Sequence, residues 1–171
     1  MASCLVLDSM VWAQAAADPR GPSGAIVELA RERALVLVAS PYIRAEVRLA
    51  SHDVGFRKRL GSKFDVDLWL ESTLAACAEL VDVTGPPVLL EHAKDDPILW
   101  LAAAGGASHL VTWEQRLLDL KEYRFTRILT PPAFLRAWRN PAGHEPLPEW
   151  KVLRRAADLP RRRAPRVAAG G

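Results

Sequence analysis

Five short apolar runs, separated by stretches with helical spacing, are what most constrains the fold of this chain. Cys4–Leu7, Leu35–Ala39, Leu80–Val83, Leu110–Trp113 and Arg127–Leu129 are too short for helices and read as buried strands. Between them lie helical segments: Met10–Ala17, Ser23 to about Arg33, one opened by Ser40-Pro41, Asp65–Ala78, Ile98–Ala104 and Pro132–Trp138. Ser40 and Thr130 each stand directly before a proline, the pattern of an N-cap followed by Pro at the first helical position. Asp18-Pro19-Arg20-Gly21-Pro22 marks a turn, His52–Lys63 a polar connection, Gly85-Pro86-Pro87 a break, and Gly105-Gly106 the end of a helix. Strands alternating with helices imply an α/β domain with a mainly parallel sheet and right-handed crossovers.

The length of 171 residues suits one domain with a single core, expected over residues 1–139. The remaining residues, 140–171, form a Pro/Arg-rich extension with seven basic and three acidic side chains. Its net charge of +4 leaves the preceding 139 residues at −1. Little fixed structure is expected beyond about residue 158. Such a tail either holds phosphate backbones nonspecifically or serves as a solvated end. No apolar run approaches the ~18 residues of a membrane span. The N-terminus lacks the basic region of a signal peptide, and Cys4 and Cys77 read as reduced core thiols. These features lead us to expect a cytoplasmic protein without a membrane segment.

Four acidic residues stand at the edges of apolar segments: Asp8, Glu46, Asp96 and Glu114. Burying an unpaired carboxylate is costly, so such residues need partners. Several carboxylates converging on one point suit a hard divalent cation. Asp8 directly follows the first strand, Glu114 the fourth, and Asp96 begins the helix feeding the fourth. Parallel sheets bind ligands outside the carboxyl ends of their strands, where strand order reverses. Each acid also has a plainer reading: Asp8 and Asp96 as N-caps, Glu46 as a salt-bridge partner, Glu114 as a surface or first-turn acid. Asp95 is either a helper beside Asp96 or a solvated residue.

Residues 95–138, DDPILWLAAAGGASHLVTWEQRLLDLKEYRFTRILTPPAFLRAW, resemble the C-terminal half of a PIN domain. The resemblance rests on Asp96, Ala102-Ala103-Ala104, Leu110-Val111-Thr112, Leu117-Leu118, Ile128-Leu129-Thr130-Pro131 and Phe134-Leu135. At the N-terminal end, Leu5-Val6-Leu7-Asp8 and the Glu46 of Ser40-Pro41-Tyr42-Ile43-Arg44-Ala45-Glu46 fit the same family. The likeness covers about residues 4–138 and is nearest to the VapC-like toxins of toxin–antitoxin systems. It implies a three-layer α/β/α fold with a five-stranded, mainly parallel sheet. It also implies a Mg²⁺- or Mn²⁺-dependent nuclease acting on RNA, an antitoxin partner and a homodimer. On that resemblance Asp8, Glu46, Asp96 and Glu114 map to the catalytic metal site, with Thr112 beside the fourth position.

Arg44 and Arg48 either contact flanking phosphates or belong to a solvated face. Two positions depart from the family pattern: Met10 replaces the usual Asn, and Glu114 follows the bulky Trp113 where an Asp follows a small or polar residue. A thioether cannot reproduce an amide's hydrogen bonds. The alternative reading is therefore a catalytically weakened PIN-like module that binds RNA or a protein. A phospho-acceptor receiver domain is disfavoured, because the third and fifth strands lead into Thr84-Gly85-Pro86 and Thr130-Pro131 rather than an Asp and a Lys.

Overall fold

A computed structural model of the chain describes residues 3–61, 64–82 and 96–140. Its strands are β1 (Ser3–Leu7), β2 (Leu35–Ala39), β3 (Ala78–Leu80), β4 (His109–Val111), β5 (Glu122–Tyr123) and β6 (Thr126–Leu129). Its helices are α1 (Ser9–Ala17), α2 (Pro22–Arg31), α3 (Pro41–Ser51), α4 (Val54–Leu60), α5 (Val66–Cys77), α6 (Asp96–Ala104), α7 (Gln115–Leu120) and α8 (Pro131–Arg139). The sheet order is β3-β2-β1-β4-β6-β5. Five strands are parallel, and the two-residue β5 adds an antiparallel edge through a hairpin onto β6.

Both faces of the sheet are covered, which is why its strands are apolar throughout rather than alternating. Register pairs Leu5 with His109 and Val6 with Val38, so these two sets lie on opposite faces. His109 meets Phe134 of α8 edge-on, with ring centroids 5.3 Å apart. On the other face Cys4 donates to the Gly105 carbonyl at the end of α6. That face is so close to α6 that a Cβ on Gly105 would press on Val38. Helices α1, α2, α5 and α8 pack together, while α6 lies against β1 and β2. The result is the expected α/β/α arrangement. Its core is built from Leu5, Leu7, Trp12, Ile26, Leu37, Leu99, Leu101, Leu110 and Phe134, all nearly or fully buried. Among the described residues no helix is long and apolar enough to cross a membrane.

Capping residues set most of the helix starts. The Ser40 hydroxyl accepts from Ile43 N, and the Thr130 hydroxyl from Ala133 N, as their Ser-Pro and Thr-Pro contexts predict. Several boundaries differ from expectation, among them the following four. The third strand is Ala78–Leu80, not Leu80–Val83: α5 runs into it with no loop, and Ala78 to Leu80 pair with Leu37 to Ala39. The fourth strand stops at Val111, because Thr112 turns toward the site. Residues 54–60 of the polar connection form α4, capped by Asp53 and anchored by the buried Phe56. The second helix starts at Pro22 rather than Ser23 and ends at Arg31, where Arg33 takes a positive φ of 60° to turn the chain into β2. The Gly85-Pro86-Pro87 break, Asp95 and the basic extension beyond Asn140 lie outside the described residues.

Candidate functional site

The sheet order reverses at β1: the chain leaves it toward β2 and returns on its other side as β4. The crevice outside the carboxyl ends of β1 and β4 is where such a sheet accommodates a ligand. Asp8 follows β1 there, and its backbone N–H donates to the Val111 carbonyl at 2.9 Å. Its backbone carbonyl accepts from Val11 and Trp12, so Asp8 occupies the N-cap position of α1. Its side chain nevertheless makes no capping bond. Asp53 and Asp65, at the same position of α4 and α5, do cap, accepting from Phe56 N and Leu68 N. The Asp8 carboxylate instead accepts from the Thr112 hydroxyl at 2.6 Å and from the Ser9 hydroxyl at 3.3 Å.

Thr112 is fully buried and held from three directions. Its N–H donates to the Leu129 carbonyl of β6, and its hydroxyl donates to Asp8 while accepting from Glu114 N at 2.9 Å. One hydroxyl thereby ties the ends of β1 and β4 and the start of α7 together. Glu114 is the N-cap of α7, again without a side-chain cap bond, and its carboxylate pairs with Arg116 at 3.0 Å. Trp113 between them is 42% exposed. Its indole N–H donates to Gln14 Oε1 at 2.6 Å, an oxygen that also accepts from the Ser23 hydroxyl. A bulky residue fits this position because α1 offers it an amide oxygen.

Glu46 is half-buried on α3, which packs against α1. It makes no hydrogen bond or ion pair among the described residues, whereas both neighbouring arginines do. Arg44 binds Glu71 of α5 at 2.6 Å, and Arg48 binds Asp67 at 2.6 Å and Glu71 at 2.9 Å. The salt bridges of α3 therefore run through Arg44 and Arg48, and Glu46 takes no part in them. Asp96 is the first residue of α6, the helix lying against β1 and β2; its side chain is outside the description. Met10 points outward from α1, 47% exposed.

The structure thus joins Asp8, Thr112 and Glu114 in one hydrogen-bonded unit and puts Glu46 on a neighbouring helix. Among the described residues no three acidic, His or Cys side chains stand close enough to hold a metal. The donor chemistry still suits a hard cation: Asp8 and Glu46 both offer carboxylate oxygens. Sequence reasoning did not single out Ser9, Gln14 or Arg116. Gln14, a lone polar residue in an alanine-rich helix, was the one with a legible signal.

A parallel sheet with an aspartate at its switch point, held by a buried threonine from the neighbouring strand, defines an α/β protein with an acidic site at the carboxyl ends of its strands. The family model of the PIN domain matches residues 4–116, which include all four acids, Thr112 and Arg116. The chain belongs to the PIN-domain family. PIN domains are generally nucleases, typically use divalent metals, and commonly bind RNA and antitoxin partners. No curated protein and no solved structure gives a significant match to the chain.

Proposed function

We propose that this protein is a Mg²⁺- or Mn²⁺-dependent endoribonuclease that hydrolyses RNA phosphodiester bonds, the cytoplasmic toxin of a toxin–antitoxin pair. The observation that carries this reading is the Asp8 carboxylate, which sits in a capping position, does not cap, and is oriented by a buried threonine. Asp8 and Asp96 would hold the cation directly, with Glu46 and Glu114 acting through water or a second ion. A divalent cation bound there supplies an activated water and offsets the phosphodiester's developing negative charge. Thr112 keeps one Asp8 oxygen fixed, so the carboxylate spends little entropy on adopting its ligand geometry. Glu46, with no cationic side chain against it among the described residues, remains available to a metal or its water shell. Glu114 would exchange Arg116 for that shell; the ion pair is partly exposed, so the exchange costs at most about 1 kcal/mol.

Protein partners in this reading are an antitoxin and a second copy of the chain. Exposed Leu49, Val54 and Leu68 are apolar side chains suited to such contacts. The Glu114–Arg116 pair and the outward Met10 favour a second reading, a weakened module that binds RNA without cleaving it. Cleavage of a mixed RNA pool with Mn²⁺ or Mg²⁺, by wild type and by Asp8→Asn, separates the two. Asn retains an acceptor for Thr112 but loses the charge. We expect metal-dependent cleavage that the substitution reduces at least about a hundredfold. A folded, inhibitor-free wild type that leaves the pool intact sinks the nuclease reading.

A further inference from the structure

Helices α2 and α8 pack side by side and run the same way. α8 starts directly after β6 ends, and α2 leads through Arg33 into the start of β2, so both begin toward the carboxyl edge of the sheet. An open groove of about 340 Å³ lies between the start of α2 and one side of α8, running along α8 to its last residue. Arg20, Arg136 and Arg139 line it, with Gly21, Pro22 and Pro132 among its walls. None of the three arginines has an ion pair among the described residues, in contrast to Arg31, Arg44, Arg48 and Arg116. The acid next to this turn is Asp18, whose Oδ1 accepts from the backbone N–H of Arg20 and of Gly21. Three guanidinium groups thus line the groove, and the neighbouring Asp18 carboxylate is already used in a turn.

Unpaired arginines around an open groove suit an extended polyanion, because each guanidinium presents a planar fork that matches a phosphate. The groove is also joined to the acidic site. From Thr112, which holds Asp8, the chain continues into Trp113; its indole bonds Gln14, and Gln14 bonds Ser23 in the first turn of α2. An exposed indole is a sequence-tolerant platform for an unpaired base.

We propose that the groove formed by Arg20, Arg136 and Arg139 is a second RNA subsite, which holds backbone phosphates to one side of the bond positioned at Asp8, with Trp113 stacking a base between. The proposal deepens the nuclease reading and rests on it for the position of the scissile bond. The groove's affinity for RNA can be measured without catalysis.

The test is binding of a fluorescent single-stranded RNA oligonucleotide, in EDTA and over a range of salt concentrations. It compares wild type, Arg136→Gln/Arg139→Gln, and a control Arg57→Gln/Arg59→Gln on the exposed face of α4. All four positions are exposed helix residues, so both variants should fold. We expect the α8 variant to lose at least about tenfold in affinity, and its log Kd–log salt slope to fall by about 1.4, two single-strand phosphate contacts. The α4 control should change neither. That outcome supports the subsite whether or not the wild type cleaves RNA. Three outcomes overturn it: no RNA binding by wild type, unchanged binding in the α8 variant, or an equal loss in the α4 control. Retained RNA binding together with lost capture of a polyglutamate peptide would assign the groove to an acidic protein partner instead.

Discussion

Asp8, Asp53 and Asp65 are the same residue at the same kind of position, directly before a helix, yet only the last two cap. The difference comes from Thr112, which lies 104 positions away in the chain and donates to Asp8. A buried hydroxyl that donates to a carboxylate and accepts from Glu114 N performs two tasks that no apolar isostere can. Thr112→Val keeps the shape and removes both bonds, leaving Glu114 N without its acceptor. We expect a stability loss of about 1–3 kcal/mol in denaturant unfolding. Metal-dependent cleavage should fall about 10–100-fold, the usual cost of losing an outer-shell partner. Thr112→Ser should restore both, and a Val variant indistinguishable from wild type would show that Asp8 needs no such support. The acids were legible as exceptions in apolar surroundings. Their pairing was not: nothing local says that Arg44 and Arg48 reach α5 carboxylates while Glu46 does not.

At the level of elements, the corner between α1 and α2 positions both the acidic site and the arginine groove. Gly24 is buried in the first turns of α2, with its α-carbon against the backbone of Pro19. A Cβ there would overlap the Pro19 carbonyl, and main chain cannot move aside as a side-chain tip can. Gly24→Ala should therefore destabilise by about 1–3 kcal/mol, despite alanine's better helix propensity. Thermal unfolding should show a drop of several degrees. A rise in melting temperature would mean that the corner relaxes freely. Helix starts marked by Ser40-Pro41 and Thr130-Pro131 were readable because their caps are local chemistry. Helix α4 and the β5 hairpin were not readable, because the first is seven residues long with Phe56 as its one buried side chain and the second is two residues long.

At the scale of the molecule, the proposed ligands come from β1, α3, α6 and the start of α7, elements spread over more than a hundred residues. The unfolded chain cannot gather them, so a cation that binds the site binds the native state alone and stabilises it by mass action. At a hundredfold excess of Mn²⁺ over Kd this amounts to about 2.7 kcal/mol. For a chain of this size that raises the melting temperature by about 5–10 °C. Calorimetry should show the shift in wild type and lose most of it in Asp8→Asn and Glu46→Gln. Equal shifts in all three would place the bound ion elsewhere.

The alternation of apolar runs and helical segments was enough to specify a parallel α/β sheet, because burial on both faces demands strands without polar residues and crossovers long enough to be helices. The acids that interrupt those segments were legible for the same reason: carboxylates at the edge of a core are too costly to be incidental. Which side chain holds Asp8, which arginines are paired and, among the described residues, which line a groove without an ion pair were decided only in the folded state. Those outcomes depend on distances between side chains far apart in sequence, and such distances exist only once β1 lies between β2 and β4.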